Sequence, residues 1–205
     1  MLVLAIDTAT PAVTAGVVSV DRESGATRLL AERVTLDARA HGELLTPHVR
    51  DAVAEARHTL RDLDAIACGV GPGPYTGLRA GMVTAGALAH SLGIPAYPVC
   101  TLDAIAEDAE RGEPFRVLTD ARRKEVYWAD YDAEGHRVDG PHVDKPADLH
   151  PAGRVLDHPR PTPLGLVGAA KAALLSGQTP GPLTPLYLRR PDAAEPGTRK
   201  RVTTS

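Results

Sequence analysis

The chain opens with a strand, an aspartate, a short turn and a second strand, and this pattern returns 113 residues later. One apolar run ends at Asp7 and another ends at Asp120, and a second strand follows each of them (12–20 and 126–131). Both second strands lead into an acidic hairpin turn. Strand–turn–strand units are common, so chance is the competing explanation, but the repeat predicts two lobes of related topology.

Strand and helix patterns alternate along most of the chain, which predicts an α/β fold. The predicted strands are at 2–6, 12–20, 27–36, 63–70, 96–99, 115–120, 126–131 and within 182–193, and the predicted helices are at 41–60, 76–92, 101–110 and 166–177. Residues 141–165 are rich in proline and show little periodicity, so they predict no regular element.

Composition limits the class of protein and of partner. Aromatic residues are 3% of the 205, so the core must consist mainly of Ala, Val and Leu. The net charge of −3 is not the footprint of a nucleic-acid-binding protein, and a partner would provide most of any grip on RNA. No run approaches the ~20 apolar residues of a membrane span. The start lacks the basic region of a signal peptide, so we expect a cytoplasmic protein without membrane association.

The glycine-rich loop 69–81 (GVGPGPYTGLRAG) lies between a buried strand and a helix, where such loops often bind phosphate. Its glycines are spaced one residue too far apart for a dinucleotide fingerprint, and none is followed by lysine as in a P-loop. Pro72 and Pro74 lack the N–H groups on which a phosphate cradle depends. The sequence therefore favours a rigid turn, with Thr76 as the N-cap of the next helix.

That next helix is apolar on nearly every side. Gly77, Gly81 and Ala85 recur every four residues and form a flat strip that allows another backbone to approach closely. A helix that is apolar all round is expected to be buried all round. Either a partner protein or a neighbouring helix of the same chain covers the side that faces away from the sheet.

Asp7 and Asp120 are the candidates for chemistry because they end equivalent strands. Paired aspartates across a cleft hold a magnesium nucleotide in some phosphoryl-transfer enzymes, whereas the alternative is that each caps its own turn. His41 and His48 would lie roughly 10.5 Å apart along a helix, too far for one metal ion. No H-x-x-x-H pair occurs in the chain, so no metal site is predicted.

Five segments, in this order, resemble the bacterial TsaB family, relatives of the actin-like ATPases (the ASKHA superfamily). They are LAIDTAT, HGELL, GPGPYTGLRAG, DARRKEVYWADY and PLYLRRPDA. The resemblance implies a two-lobed actin-like fold in which a strand meander opens the mixed sheet of each lobe and helices flank it. The expected boundaries are 1–112 for the N-terminal lobe, 113–193 for a reduced C-terminal lobe and 194–205 for a disordered tail.

The resemblance also implies a non-catalytic role. Family members are partners of TsaD, which transfers a threonylcarbamoyl group to the adenosine beside the anticodon of tRNAs that read codons beginning with A, and the ATPase TsaE completes the complex. We therefore expect a scaffold subunit that activates a TsaD-like transferase, forms a homodimer in isolation and meets tRNA through the complex. No cofactor is expected to be required, and a nucleotide at the partner interface stays an open alternative.

In the family, the first two helices build the partner surface, and they match residues 43–58 and 77–91 here. The expected contact residues are Leu44, Leu45, His48, Thr76, Gly77, Leu78, Gly81, Met82 and Ala85. A basic cluster near the end is a candidate tRNA contact, with a solvated tail as the alternative. It comprises Arg189, Arg190, Arg199, Lys200 and Arg201.

Two departures argue against catalysis. TsaD-like enzymes carry a metal-binding H-x-x-x-H pair on the first helix, but Leu45 stands four residues after His41. Thr-Ala-Thr follows Asp7, without the glycine that active relatives use, so a vestigial phosphate cleft is expected. Its residues would be Asp7, Thr8, Thr10 and Asp120. The alternative functions are an autonomous ATPase or small kinase using the two aspartates and, with less support, a metallopeptidase.

Overall fold

Two mixed β-sheets form the framework of the protein. The computed structural model describes residues 1–37, 39–157 and 159–189. The strands are β1 (Leu2–Asp7), β2 (Ala12–Val20), β3 (Thr27–Leu36), β4 (Ala65–Gly69), β5 (Ala96–Val99), β6 (Phe115–Asp120), β7 (Val126–Tyr131), β8 (Arg137–Asp144) and β9 (Arg154–Asp157). The first sheet has the order β3-β2-β1-β4-β5, and the second has the order β8-β7-β6-β9. The predicted α/β fold class is confirmed.

The repeat seen in the sequence is present in the strand pairing. β1 pairs antiparallel with β2 and parallel with β4, and β6 pairs in the same way with β7 and β9. Asp7 and Asp120 are the last residues of β1 and β6. They therefore occupy equivalent places, each at the beginning of the turn between the first two strands of its sheet.

Four α-helices and two short 3-10 helices (Leu60–Asp62 and Pro146–Asp148) are present in the described part of the chain. The α-helices are α1 (His41–Glu55), α2 (Tyr75–Leu92), α3 (Thr101–Glu107) and α4 (Pro163–Ser176). α1 and α2 cover one face of the first sheet, where Leu4 and Ile6 point, and α4 covers the opposite face, where Val3 and Ala5 point. Because successive side chains of a strand alternate between faces, burial on both faces explains the continuous apolar run of β1. α3 packs against α4 and against β6 and β7, so it joins the two sheets.

Several boundaries differ from the predicted ones. α1 ends at Glu55 rather than at residue 60, because Arg57 adopts a left-handed φ of 60° and the N–H of His58 returns to the Val53 carbonyl. α4 begins three residues early, since the Thr162 side chain accepts the N–H of Gly165 and so caps the helix. The sequence predicted neither β8, which ends inside the proline-rich segment, nor β9, which lies within it.

The chain after β9 returns to the first sheet. α4 lies in the range expected for the C-terminal lobe, but Leu166, Val167 and Leu174 belong to the core beneath β1 and β4. Residues 182–189 form no strand, although the N–H of Leu186 donates to the Val70 carbonyl at the end of β4. α4 therefore packs with the first sheet, and the lobe boundaries at 112 and 193 stay a prediction.

Candidate functional site

Asp7 is fully buried beneath the first turn, residues 8–11 between β1 and β2. Its Oδ1 accepts the N–H of Ala9 at 2.8 Å, and its Oδ2 accepts the hydroxyl of Thr101 at 2.7 Å. Burial raises the pKa of Asp7 to about 6, although these hydrogen bonds act in the opposite direction. A Cβ at Gly69 would lie 1.8 Å from Oδ2, so only glycine fits there. The carboxylate thus links β1, β4 and the start of α3.

α2 closes over the first turn through its glycines. The hydroxyl of Thr8 donates to the Gly77 carbonyl at 2.7 Å and accepts the N–H of Gly81 at 3.0 Å, two groups that an uninterrupted α-helix joins directly. A Cβ on Gly77 would lie 2.6 Å from the Thr8 carbonyl oxygen, and one on Gly73 would lie 2.2 Å from the Ala9 carbonyl oxygen. The glycines of the loop therefore serve close packing between backbones.

A cavity of about 210 Å³ lies between the first turn and the end of β6. Its lining consists of Thr8, Thr10, Pro11, His41, Pro74, Thr76, Gly77, Asp120 and Arg122. His41 Nε2 lies 2.9 Å from the Thr10 carbonyl oxygen, and because a carbonyl only accepts, Nε2 carries the proton. Asp120 lines this cavity, whereas Asp7 is buried and does not, so the structure does not bring the two predicted aspartates to one surface.

Thr76 is exposed beside this cavity rather than capping α2. Pro74 is the N-cap residue, with φ −61° and ψ 138°, and the helix begins at Tyr75 without a side-chain capping bond. The predicted capping role of Thr76 was therefore wrong.

The second turn, residues 121–125 between β6 and β7, places three consecutive cations in the left-handed region. The φ angles are 63° for Arg122, 55° for Arg123 and 64° for Lys124, and all three residues are exposed. The N–H of Ala121 donates to the Glu125 carbonyl at 3.0 Å, which closes the turn. Since a left-handed non-glycine residue costs roughly 1–2 kcal/mol, the rest of the protein must hold this turn in place.

Arg189, one of the residues expected to contact tRNA, supplies part of that support. Its guanidinium pairs with the carboxylate of Glu125 and donates to the Ala121 carbonyl at 3.1 Å, while its own carbonyl accepts the Tyr75 hydroxyl at 2.6 Å. The side chain is only 22% exposed. The other members of the predicted basic cluster lie outside the described residues; they are Arg190, Arg199, Lys200 and Arg201.

Most of the expected partner-contact residues point into the protein. Leu45, Gly77, Leu78, Gly81, Met82 and Ala85 are buried within the chain, and Leu44 and His48 are half-buried. The ring of His48 is hydrogen-bonded to the Thr35 hydroxyl at 2.9 Å, and burial lowers its pKa. The buried residues form the side of α1 and α2 that packs on the sheet and the first turn, so the exposed residues of these helices lie on their outer side.

The outer sides of α1 and α2 form an apolar groove of about 510 Å³, called here the helix groove. It is lined by Thr46, Val49, Arg50, Leu60, Val83, Thr84, Ala87 and Leu88. Val83 is 70% exposed. The sheet and the first turn cover the inner side of α2. The sequence left open whether a neighbouring helix or a partner protein covers the other side. No part of the described chain covers the helix groove on that side.

The described residues contain neither a metal-ligand cluster nor a membrane-spanning helix. No group of three or more His, Cys, Asp or Glu side chains is arranged to hold a metal ion there. Within the same residues, no helix combines the length and the apolar character needed to cross a membrane.

The chain was compared with known families, curated proteins and solved structures. A family model described as "TsaD: tRNA N6-adenosine threonylcarbamoyltransferase" matches residues 29–184. The Escherichia coli K12 protein named "tRNA threonylcarbamoyladenosine biosynthesis protein TsaB" is 37% identical over 141 residues, which are 67% of this chain and 58% of that protein. YeaZ from Pseudomonas aeruginosa superposes with a TM-score of 0.76 at 26% identity, covering 91% of this chain and 99% of YeaZ. The chain belongs to the TsaB family.

A further relative is similar over nearly its whole length. An uncharacterized protein of Mycobacterium tuberculosis is 51% identical over 207 residues, covering 93% of each chain.

Proposed function

We propose that this TsaB-family chain is a non-catalytic subunit that binds and activates a TsaD-like transferase. The transferase would form threonylcarbamoyladenosine beside the anticodon of tRNAs that read codons beginning with A. The observation that carries the proposal is the helix groove, where Val83 is 70% exposed beside Ala87 and Leu88. An exposed apolar surface of this kind marks a protein interface. The names of the matched family and of the Escherichia coli relative supply the pathway.

The first turn supports the non-catalytic part of the proposal. The N–H of Ala9, a group that a bound phosphate would use, donates to the carboxylate of Asp7. The other oxygen of that carboxylate accepts from Thr101. An autonomous ATPase or small kinase would need Asp7 at its substrate, but the residue is fully buried and α2 lies over the turn. We therefore rank that alternative below the scaffold role.

The proposal includes the rest of the assembly. The helix groove would seat the transferase in the complex and a second copy of this chain when the transferase is absent, so the two states would exclude each other. A TsaE-like ATPase would complete the complex, tRNA would be met through it, and the work would take place in the cytoplasm. No cofactor of this chain is required.

Reconstitution tests the proposal. The chain alone should transfer no threonylcarbamoyl group, whereas a mixture with the TsaD-like and TsaE-like proteins of the same organism should modify tRNA. The double variant Val83→Asp/Ala87→Asp should weaken binding of the transferase by at least ~10-fold, since it places charge in an apolar interface. Transferase binding is measured by calorimetry and transfer by incorporation of labelled threonine.

The control is Val138→Asp. Val138 is 65% exposed on β8, close to the exposure of Val83, and it does not line the helix groove. It should leave binding and activity unchanged, and the thermal melts of both variants should match that of the natural chain. Full activity of the two partners without this chain, or with the groove variant, would overturn the proposal. ATP turnover by the chain alone, lost in Asp7→Asn, would favour the alternative.

A further inference from the structure

We infer that the cationic second turn and a neighbouring pair of tyrosine rings form a contact surface for tRNA. The turn, at Arg122, Arg123 and Lys124, would bind backbone phosphates, and the rings of Tyr75 and Tyr187 would stack on an unpaired base. The inference rests on the proposed function, because it names the place where this subunit meets the substrate of the complex.

The first observation is the conformation of the turn. A glycine or asparagine would adopt the left-handed conformation at little cost, yet three long cations occupy it in succession. All three residues are exposed, and Arg189 and Glu125 hold the turn from beneath. Strained backbone held in place by its surroundings is a feature of functional sites. Here Arg122 lines the cavity, and all three cationic residues are exposed to solvent.

The second observation is the ring pair. The centroids of Tyr75 and Tyr187 lie 4.5 Å apart, and the guanidinium of Arg79 lies 5.5 Å from each centroid. Arg79 Nε donates to the hydroxyl of Tyr187 at 2.7 Å, and Tyr187 is 37% exposed. Aromatic rings and arginine planes are the groups on which proteins stack unpaired bases of RNA.

One residue connects the turn and the rings. Arg189 contacts the turn at Ala121 and Glu125 through its guanidinium, and its carbonyl accepts the hydroxyl of Tyr75. The cations and the rings therefore flank a common residue and form one surface across the two lobes. Phosphate contact beside base stacking is the combination that binds single-stranded RNA.

The size and charge of the cavity favour RNA over a free nucleotide. At about 210 Å³, the cavity is smaller than the roughly 300–1,000 Å³ of ordinary ligand pockets. Asp120 and Arg122 both line it and form an ion pair at 3.6 Å, so the charge of this arginine is already offset by a carboxylate and is not left for a phosphate held inside. The turn, by contrast, is open to solvent, where a polynucleotide backbone can reach it. With a chain net charge of −3, this surface would orient tRNA that the transferase also binds.

The test measures tRNA binding by the reconstituted complex over a series of salt concentrations. The variant is Arg123→Asn/Lys124→Asn, because asparagine tolerates left-handed backbone. We expect the Kd for a tRNA transcript to rise about 10-fold, and the slope of log Kd against log salt to fall by about 1–2. Tyr187→Ala should weaken binding about 5-fold with little change in slope, since stacking involves no counterion release.

The control is Arg28→Asn/Lys145→Asn, which removes the same charge from exposed positions on β3 and after β8. If the control variant loses as much tRNA binding as the turn variant, the inference is overturned. It is also overturned if the turn variant shows the same Kd and the same salt slope as the natural chain. A second measurement compares the binding of ATP to the natural complex and to the complex with the turn variant. If the turn variant loses ATP binding and keeps tRNA binding, the surface serves a nucleotide and the inference is wrong.

Failure of the proposed function would look different. In that case the natural chain would not assemble with the transferase, which sizing chromatography measures before any tRNA is added. The turn variant is then compared with the natural chain alone by crosslinking to tRNA. Reduced crosslinking at the turn would support the inference without the transferase, and equal crosslinking would overturn it.

Discussion

The first and second turns begin at equivalent aspartates in sheets of the same strand order, yet they have opposite surroundings. α2 covers the first turn so closely that Cβ atoms at Gly73 or Gly77 would collide with its backbone. The second turn is exposed and cationic, and its aspartate lines a cavity. The same strand unit can therefore become a packing site or an open surface, depending on whether another element of the chain packs over its turn.

The largest expected effect tests the coverage of the first turn. Gly77→Ala should lower the free energy of unfolding by about 3 kcal/mol, because the added Cβ meets the backbone carbonyl of Thr8, which cannot move away on its own. Gly86→Ala is the matched control within α2, since its Cβ would meet nothing within 4 Å. It should raise the free energy by about 0.5–1 kcal/mol through helix propensity.

Urea denaturation of both variants measures this difference. Similar free energies for the two alanine variants would mean that α2 does not rest on the first turn. Thr8 provides a further check at Gly81, where a Cβ would lie 2.4 Å from the Thr8 hydroxyl oxygen. Thr8→Ala should recover part of the loss caused by Gly81→Ala, because residues in direct contact show non-additive effects.

The next effect concerns the buried aspartate of the first turn. The folded pKa of Asp7, about 6, lies above the ~3.9 of an unfolded aspartate. The folded chain therefore holds the proton more tightly. This contribution to stability is complete below pH ~4 and is lost as the pH rises through about 6. Asp7→Asn removes it, so the stability of the variant relative to the natural chain should rise by up to ~3 kcal/mol from pH 4 to pH 7.

Asp21→Asn is the control for this pH dependence. Hydrogen bonds from Ser24 and Glu23 lower the pKa of Asp21. Loss of this carboxylate should therefore make Asp21→Asn less stable relative to the natural chain as the pH rises, which is the opposite direction to Asp7→Asn. Unfolding free energies are compared for all three chains across the same buffers. If the difference in unfolding free energy between Asp7→Asn and the natural chain does not change with pH, the carboxylate of Asp7 is not desolvated in the folded state.

Local pattern predicted much of the fold because much of it is local. The repeat of strand, aspartate and strand appears in the structure as matching strand orders, and the glycine spacing of loop 69–81 appears as close backbone packing. Boundaries were less predictable where a distant contact decides them. β9 forms because residues 154–157 pair with β6. The short segment itself has no periodicity that would predict this pairing.

The site was less predictable because its contacts join residues far apart in the chain. Thr101 holds the carboxylate of Asp7 from 94 residues away, and Arg189 pairs with Glu125 from 64 residues away. The outer side of α2 was obscured for another reason. Since α2 is apolar on both sides, its sequence does not reveal which side the sheet covers. The small residues were expected at the partner, whereas they pack on the first turn.

The smallest expected effect concerns the left-handed backbone of the second turn. Lys124→Gly should raise the free energy of unfolding by about 0.5–1 kcal/mol, because relief of the left-handed backbone exceeds the extra chain entropy of glycine. Lys145→Gly is matched in residue type but has an ordinary φ of −77°, so it should lower stability by a similar amount. Equal effects in urea denaturation would show that the turn is unstrained. If Lys124→Gly stabilises the chain and also weakens tRNA binding by the complex, Lys124 lowers stability in the second turn but contributes to binding. The glycines that pack over the first turn contribute to stability only.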